Sequence, residues 1–115
     1  MIAKEYAKIA YKALEDKKGS RIRIIDIHDI SVMGDYLIIA DGSNYNQVQA
    51  MCDNVEEQLH LAGASLKNRE GNSNGGWILL DYCDIIVHIF TEDARSFYDL
   101  EHIWRDGIFC SVEDL

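Results

Sequence analysis

Residues Gly75 to Phe90 read GGWILLDYCDIIVHIF. Two apolar runs, Trp77–Tyr82 and Ile85–Phe90, flank a polar break at Cys83–Asp84. Each run has the length of a strand and is rich in β-branched, leucine and aromatic side chains, which predicts a β-hairpin. Alternation along a strand places Trp77, Leu79 and Asp81 on one face and Ile78, Leu80 and Tyr82 on the other. In the second strand Ile85, Val87 and Ile89 oppose Ile86, His88 and Phe90. Both faces are mostly apolar, as expected of central strands covered on two sides. A plain core requires neither the tryptophan nor the two carboxylates, Asp81 and Asp84.

Upstream of the hairpin, Glu70–Gly76 (EGNSNGG) reads as a polar, glycine-rich loop and Ala64–Arg69 as a short third strand. Before them, Tyr45, Val48, Met51, Cys52, Val55, Leu59 and Ala62 recur at helical spacing, with Ser43 or Asn44 as N-cap and Gly63 as the stop. Tyr36–Ala40 is almost continuously apolar, which predicts a central strand, and Arg21–His28 predicts another. Asp29 to Gly34 reads as a turn or short helical connection between them. At the start of the chain, Ile2–Lys18 predicts an amphipathic helix with Ile2, Tyr6, Ile9, Ala10, Ala13 and Leu14 on its apolar side, ended by Gly19. Beyond the hairpin, Thr91 caps a third helix, with Glu92 and Asp93 in its first turn and Ala94, Phe97, Leu100, Glu101 and Trp104 along one side. Gly107 ends that helix and a short apolar and acidic tail follows. The order is helix, two strands, helix, three strands, helix. It predicts one α/β domain spanning residues 1–115, with a mixed sheet of about five strands flanked by helices.

The composition narrows the function classes. A chain of 115 residues with 48% hydrophobic and 27% charged side chains fits a single soluble domain. No apolar run approaches the roughly 20 residues of a membrane span. The N-terminus mixes Lys4, Glu5 and Lys8 with Ala and Tyr, unlike a secretory or organelle leader, so a cytoplasmic location is expected. Cys52, Cys83 and Cys110 are odd in number and lack C-x-x-C spacing, which offers neither a disulfide framework nor a zinc knuckle. The formal net charge is −9 with no basic run. Nucleic-acid affinity comes largely from Lys and Arg neutralising phosphates, so direct DNA binding is not expected. A basic protein partner suits the charge better, because opposite fields steer encounter.

The residues offer little catalytic chemistry. A phosphate cradle at Gly71–Gly76 would need a helix N-terminus after it and usually a lysine, but Trp77 opens a strand there. Gly42–Ser43 after a strand, with carboxylates further on, is faintly similar to nucleotidyltransferases. Those hold metal ions with acidic residues at adjacent positions of one strand face. Asp81 and Asp84 stand three apart across a turn instead. Asp84 and His88 lie roughly 13 Å apart along a strand, too far to share an ion. Asp99 and His102, at i and i+3, are two ligands without companions, and His28 and His60 have none. No catalytic residue, metal or cofactor is therefore expected. What remains is a binding surface. Trp77 follows a polar loop at the start of a strand, where complete burial is not expected. Tyr82, Tyr98 and Trp104 add large aromatics with polar handles, the types that dominate interface hot spots.

The residues also carry a family resemblance. Asp35–Tyr36, Gly42-Ser43-Asn44, the block WILLDYCDIIVHIF from Trp77 to Phe90, and RSFYDLEHIW from Arg95 to Trp104 resemble the ribosomal silencing factor (RsfS, Iojap) family. The similarity covers nearly the whole chain. It implies a nucleotidyltransferase-like α/β fold without catalytic activity, a homodimer in several members, and docking on large-subunit ribosomal protein number fourteen. That protein lies on the intersubunit face, and occupying it blocks subunit joining and represses translation. By position, the resemblance assigns Trp77, Leu79, Asp81, Tyr82 and Asp84 to the partner-facing stretch. Tyr98 and Trp104 fall in the C-terminal signature, as packing or partner contacts. The chain departs from the family pattern at Asn46, where a basic residue is frequent, at Cys83, where Gly is common, and at Glu92, where Pro is frequent. Two alternatives stay open at this point: an assembly factor for the large subunit, and a nucleotidyltransferase-like enzyme with residual metal activity.

Overall fold

The computed structural model describes residues 2–28, 34–98, 108–110 and 115, and the side chains of these except at 2, 73, 96–98, 108 and 109. Helix α1 (Ile2–Asp16) leads into strands β1 (Ser20–Asp26) and β2 (Tyr36–Gly42), then helix α2 (Tyr45–Leu61). Strand β3 (Asn68–Asn72), a 3-10 turn at Ser73–Gly75, and the hairpin β4 (Trp77–Asp81) and β5 (Ile85–Thr91) follow. Helix α3 (Glu92–Tyr98) and strand β6 (Ile108–Cys110) complete the set. The sheet order is β3-β4-β5-β2-β1-β6. Strands β2 and β5 are parallel, from Tyr36 opposite Ile85 to Gly42 opposite Thr91, and the other pairings are antiparallel. This is the mixed α/β sheet expected, with β6 added at one edge from the segment read as a tail.

Strand β2 is buried along its whole length, as its apolar run requires of a central strand. One sheet face packs under α1 and α2, where Ile38, Ala40, Ile78, Leu80, Val87 and Ile89 meet the helices. The other face gathers Ile25, Ile27, Leu37, Ile39, Ile86 and Phe90, with Trp77, Leu79 and Ala94 partly covered beside them. Helix α3 packs on β5 and β2. Helix α2 keeps the expected bounds. The Asn44 side chain accepts the Gln47 N–H at 2.8 Å, and the helix closes on Gly63 at φ +93. There Gly63 and Ala64 donate backwards to His60 and Leu59, a Schellman closure that needs a left-handed residue.

Several expectations are corrected. The buried stripe of α1 is formed by Ala3, Ala7, Ala10, Ala13 and Leu14, while Tyr6 and Ile9 pack only at its margin. Alanine lets helix and sheet approach closely, so the small residues take the centre. The helix ends at Asp16, and Lys18, at φ +62, takes the left-handed position ahead of Gly19. Tyr45, assigned to the apolar stripe of α2, is 53% exposed at the helix's first position. The third strand is not Ala64–Arg69 but Asn68–Asn72, so half of the expected loop is strand. Every residue of it is exposed, which is why it carries no hydrophobic alternation to read. Most of the expected third-helix stripe, Gly107 and the Asp29–Gly34 connection lie largely outside the described residues.

Candidate partner-docking surface

The second face of the β4–β5 hairpin carries the candidate site. Trp77 sits half-buried at the start of β4. Its indole N–H donates to His88 Nδ1 at 3.0 Å. The ring stacks on His88 at 5.7 Å between centroids and on Phe90 at 5.3 Å. His88 is 6% exposed, and burial lowers its pKa to about 4. At neutral pH its ring is uncharged, with Nδ1 as acceptor and the proton on Nε2. His88 is thus a hydrogen-bonded structural histidine.

Leu79 and Asp81 continue the same face, both half-buried. Antiparallel pairing sets Asn72 against Trp77, Glu70 against Leu79 and Asn68 against Asp81, so β3 widens the face toward the sheet edge. A cavity of about 230 Å³ opens between Glu70, Gly71, Trp77 and Leu79. Gly71 lets β3 approach β4 here: at φ +81, a Cβ would lie 2.1 Å from the Trp77 carbonyl oxygen. The result is an apolar anchor flanked by the carboxylates Glu70 and Asp81. Glu70 was not singled out in the sequence, because its strand was read as loop.

The hairpin turn engages the remaining residues. Asp81 Oδ1 accepts the Cys83 N–H at 2.8 Å, closing an Asx turn in which Cys83 adopts φ +71. Asp84 is exposed, and its backbone carbonyl accepts from Asp35 and Tyr36 at the start of β2. Tyr82 departs from the expected partner-facing set. It is 6% exposed on the opposite face, within the main core, and burial pushes its phenol up to about 12. Period-two alternation already placed it there. The side chain of Tyr98 and all of Trp104, Asp99 and His102 lie outside the described residues.

Two further groupings bear on chemistry. Asp41 is fully buried at the end of β2, 2.7 Å from Arg21 and 3.1 Å from Arg95 of α3. The strand expected from the sequence stops at Ala40 and leaves Asp41 out, although a carboxylate directly after the run YLIIA was the available signal. Its guanidinium partners make it an internal tie rather than a metal ligand. Cys52, Asp53 and Glu56 bring donor atoms within 4.8 Å of one another. Burial pushes the Cys52 thiol up to about 12, Asp53 accepts from Gln49, and Glu56 pairs with Arg69 at 3.0 Å. A protonated thiol and two engaged carboxylates make a poor ion site. A cavity of about 610 Å³ lies between the start of α2 and the Asn74–Gly76 turn, against Thr91 and Asp93. Among the described residues no Lys or Arg lines it, which does not favour a phosphate. Among the described residues no helix is long and apolar enough to cross a membrane.

Comparison with known proteins agrees with this architecture. The family model described as "Ribosomal silencing factor during starvation" matches residues 2–115. A curated relative from Bacillus subtilis, named ribosomal silencing factor RsfS, is 38% identical over 113 residues, covering 98% of this chain and 96% of the relative. A crystal structure from Chromobacterium violaceum superposes with a TM-score of 0.86 at 35% identity, over 90% of this chain and 87% of that one. Another from Bacillus halodurans gives 0.82 at 30% identity, over 93% and 97%. A sequence match over residues 2–115, joined by a fold match over at least 90% of the chain, identifies it: the protein belongs to the ribosomal silencing factor family.

Proposed function

We propose that this protein is a ribosomal silencing factor that works as a binding module in the cytoplasm. It docks through the Trp77 face on large-subunit ribosomal protein number fourteen, at the intersubunit surface, and keeps the small subunit from joining. The observation that carries the reading is the pairing of an anchored, half-buried Trp77 with the carboxylates of Glu70 and Asp81. An aromatic anchor in an acidic frame, on a chain of net charge −9, fits a basic protein surface rather than RNA phosphates. Leu79 and the exposed Asp84 extend that surface, while Tyr82 supports it from the core. The reading requires no catalysis. A body 26 Å through its thinnest axis is too thick to fit between two surfaces that must touch.

The test is sedimentation with purified subunits. The protein should travel with free large subunits and not with joined ribosomes. Added before mixing, it should lower the joined fraction; added afterwards, it should do much less. Equal association with joined ribosomes overturns the reading. Association confined to immature large subunits, without effect on joining, favours the assembly role instead. Magnesium-dependent consumption of a nucleoside triphosphate, abolished by Asp81→Ala, would restore the enzyme alternative.

A further inference from the structure

The residue that anchors the docking face does not stand alone. Trp77 begins β4 directly opposite Phe90, and Leu79 lies opposite His88, so the three rings of this face come from one stretch of hairpin. His88 and Phe90 lie two apart on β5 with their rings 6.1 Å apart and 9° from parallel. Trp77 lies over both, at 29° to His88 and 24° to Phe90. The stack restricts the plane of the indole but leaves open a half-turn about χ2, which would carry Nε1 to the other edge. The hydrogen bond from the indole Nε1–H to His88 Nδ1, at 3.0 Å, removes that freedom. Turning the ring away would leave a buried imidazole nitrogen without its donor, which a folded interior disfavours.

We propose that His88 is the positioning residue of the docking surface, holding Trp77 in the one orientation that a partner meets. The role rests on reading this face as the docking site. His88 itself is 6% exposed and need not touch the partner. Its contribution is pre-organisation: a side chain already fixed loses less freedom on binding than one that must be ordered at that moment. Phe90, fully buried, is the floor on which the pair rests. Leu79 shares the face, so a fixed indole also fixes the shape of the cavity between Trp77 and Leu79.

Two substitutions separate the acceptor from the bulk. His88→Leu keeps an apolar side chain of similar size but offers no acceptor. His88→Asn places Oδ1 near the position of Nδ1 and retains one. The first readout uses the free protein: the indole N–H resonance of Trp77, assigned with Trp104→Phe. It should be shifted and slow to exchange in the unmodified chain and in His88→Asn, and should lose both properties in His88→Leu. The second readout is affinity for purified large subunits. His88→Leu should weaken binding by about tenfold, the scale of one lost buried hydrogen bond, and His88→Asn should restore most of it. In a Trp77→Phe background, which keeps the stack but has no N–H to hold, His88→Leu should change affinity little further. An unchanged indole resonance in His88→Leu overturns the proposal. So does an equal loss of affinity in the Trp77→Phe background. If Trp77→Ala leaves affinity for large subunits unchanged, the docking reading fails instead, and the resonance still reports whether His88 orients the ring.

Discussion

His88 illustrates how a single buried side chain couples this fold to pH. Unfolded, a histidine protonates near pH 6.5. Folded, His88 does so only near 4, because burial disfavours the charged ring. Between those values the unfolded chain binds more protons, so stability rises with pH across that window. The contribution is fully present above about 6.5 and is lost as the pH falls toward 4. At 1.36 kcal/mol per pH unit it amounts to roughly 3 kcal/mol. Urea midpoints at pH 7 and pH 4.5 should therefore differ less in His88→Leu than in the unmodified chain. An identical drop in both would assign the acid sensitivity elsewhere. Cys83 makes the opposite case, a residue that the fold tolerates rather than requires. It is exposed at φ +71. An L-residue there costs roughly 1–2 kcal/mol, and a glycine there would avoid it. Cys83→Gly should raise stability by about 0.5–1 kcal/mol once the greater freedom of unfolded glycine is subtracted. A lower melting midpoint would show that the thiol has a role the turn geometry does not reveal. Trp77 combines both themes. Its stacking and hydrogen bond mean that Trp77→Ala should lower stability by about 1–2 kcal/mol, as well as weakening docking by about 2 kcal/mol or more.

At the scale of elements, α3 is tied to the sheet by charge as well as by packing. Arg95 donates to Asp41 at 3.1 Å, and both side chains are almost wholly buried. Arg21 of β1 closes on the same carboxylate oxygen, Oδ2. Asp41→Ala should cost roughly 3–5 kcal/mol, since it leaves a buried guanidinium facing no anion at that point. The amides of α3 should then exchange faster than those of α2. A loss below about 1 kcal/mol would mark the cluster as incidental. Its partners could not be read from the sequence, because they lie 20 and 54 residues from Asp41; the antiparallel β1–β2 pairing brings Arg21 to it and the parallel β2–β5 pairing brings Arg95. The hairpin was legible for the opposite reason. Trp77–Asp81 and Ile85–Thr91 are local, of strand length and mostly apolar on both faces, and are joined by a short polar turn. Helix α2 was legible from a stripe plus two caps, Asn44 and Gly63. Strand β3 was not, because NREGN contains no apolar side chain and draws its order from backbone pairing with β4 and the Arg69–Glu56 ion pair to α2. The same misreading concealed Glu70, and with it half of the acidic frame around Trp77.

For the whole molecule, the balance between charge and anchor makes a kinetic distinction. The net charge of −9 acts at range and without orientation, whereas Trp77 and Leu79 act only in contact. Long-range attraction to a basic partner raises the rate of encounter, and short-range packing sets how long the complex lasts. Salt separates the two, because the Debye length shrinks from about 30 Å at 0.01 M to about 8 Å at 0.15 M. That is from the breadth of this domain, whose axes span 26 to 33 Å, to a fraction of it. Surface plasmon resonance against immobilised large subunits should show the association rate falling steeply over this range while the dissociation rate changes little. Trp77→Ala should do the reverse, raising the dissociation rate while leaving the salt dependence of association intact. Neutralising the frame with Glu70→Gln and Asp81→Asn should flatten the salt dependence and spare the lifetime of the bound state. If salt acts mainly on dissociation, the carboxylates are buried partners in the interface rather than a steering field, and Glu70 and Asp81 belong with Trp77 among its anchors.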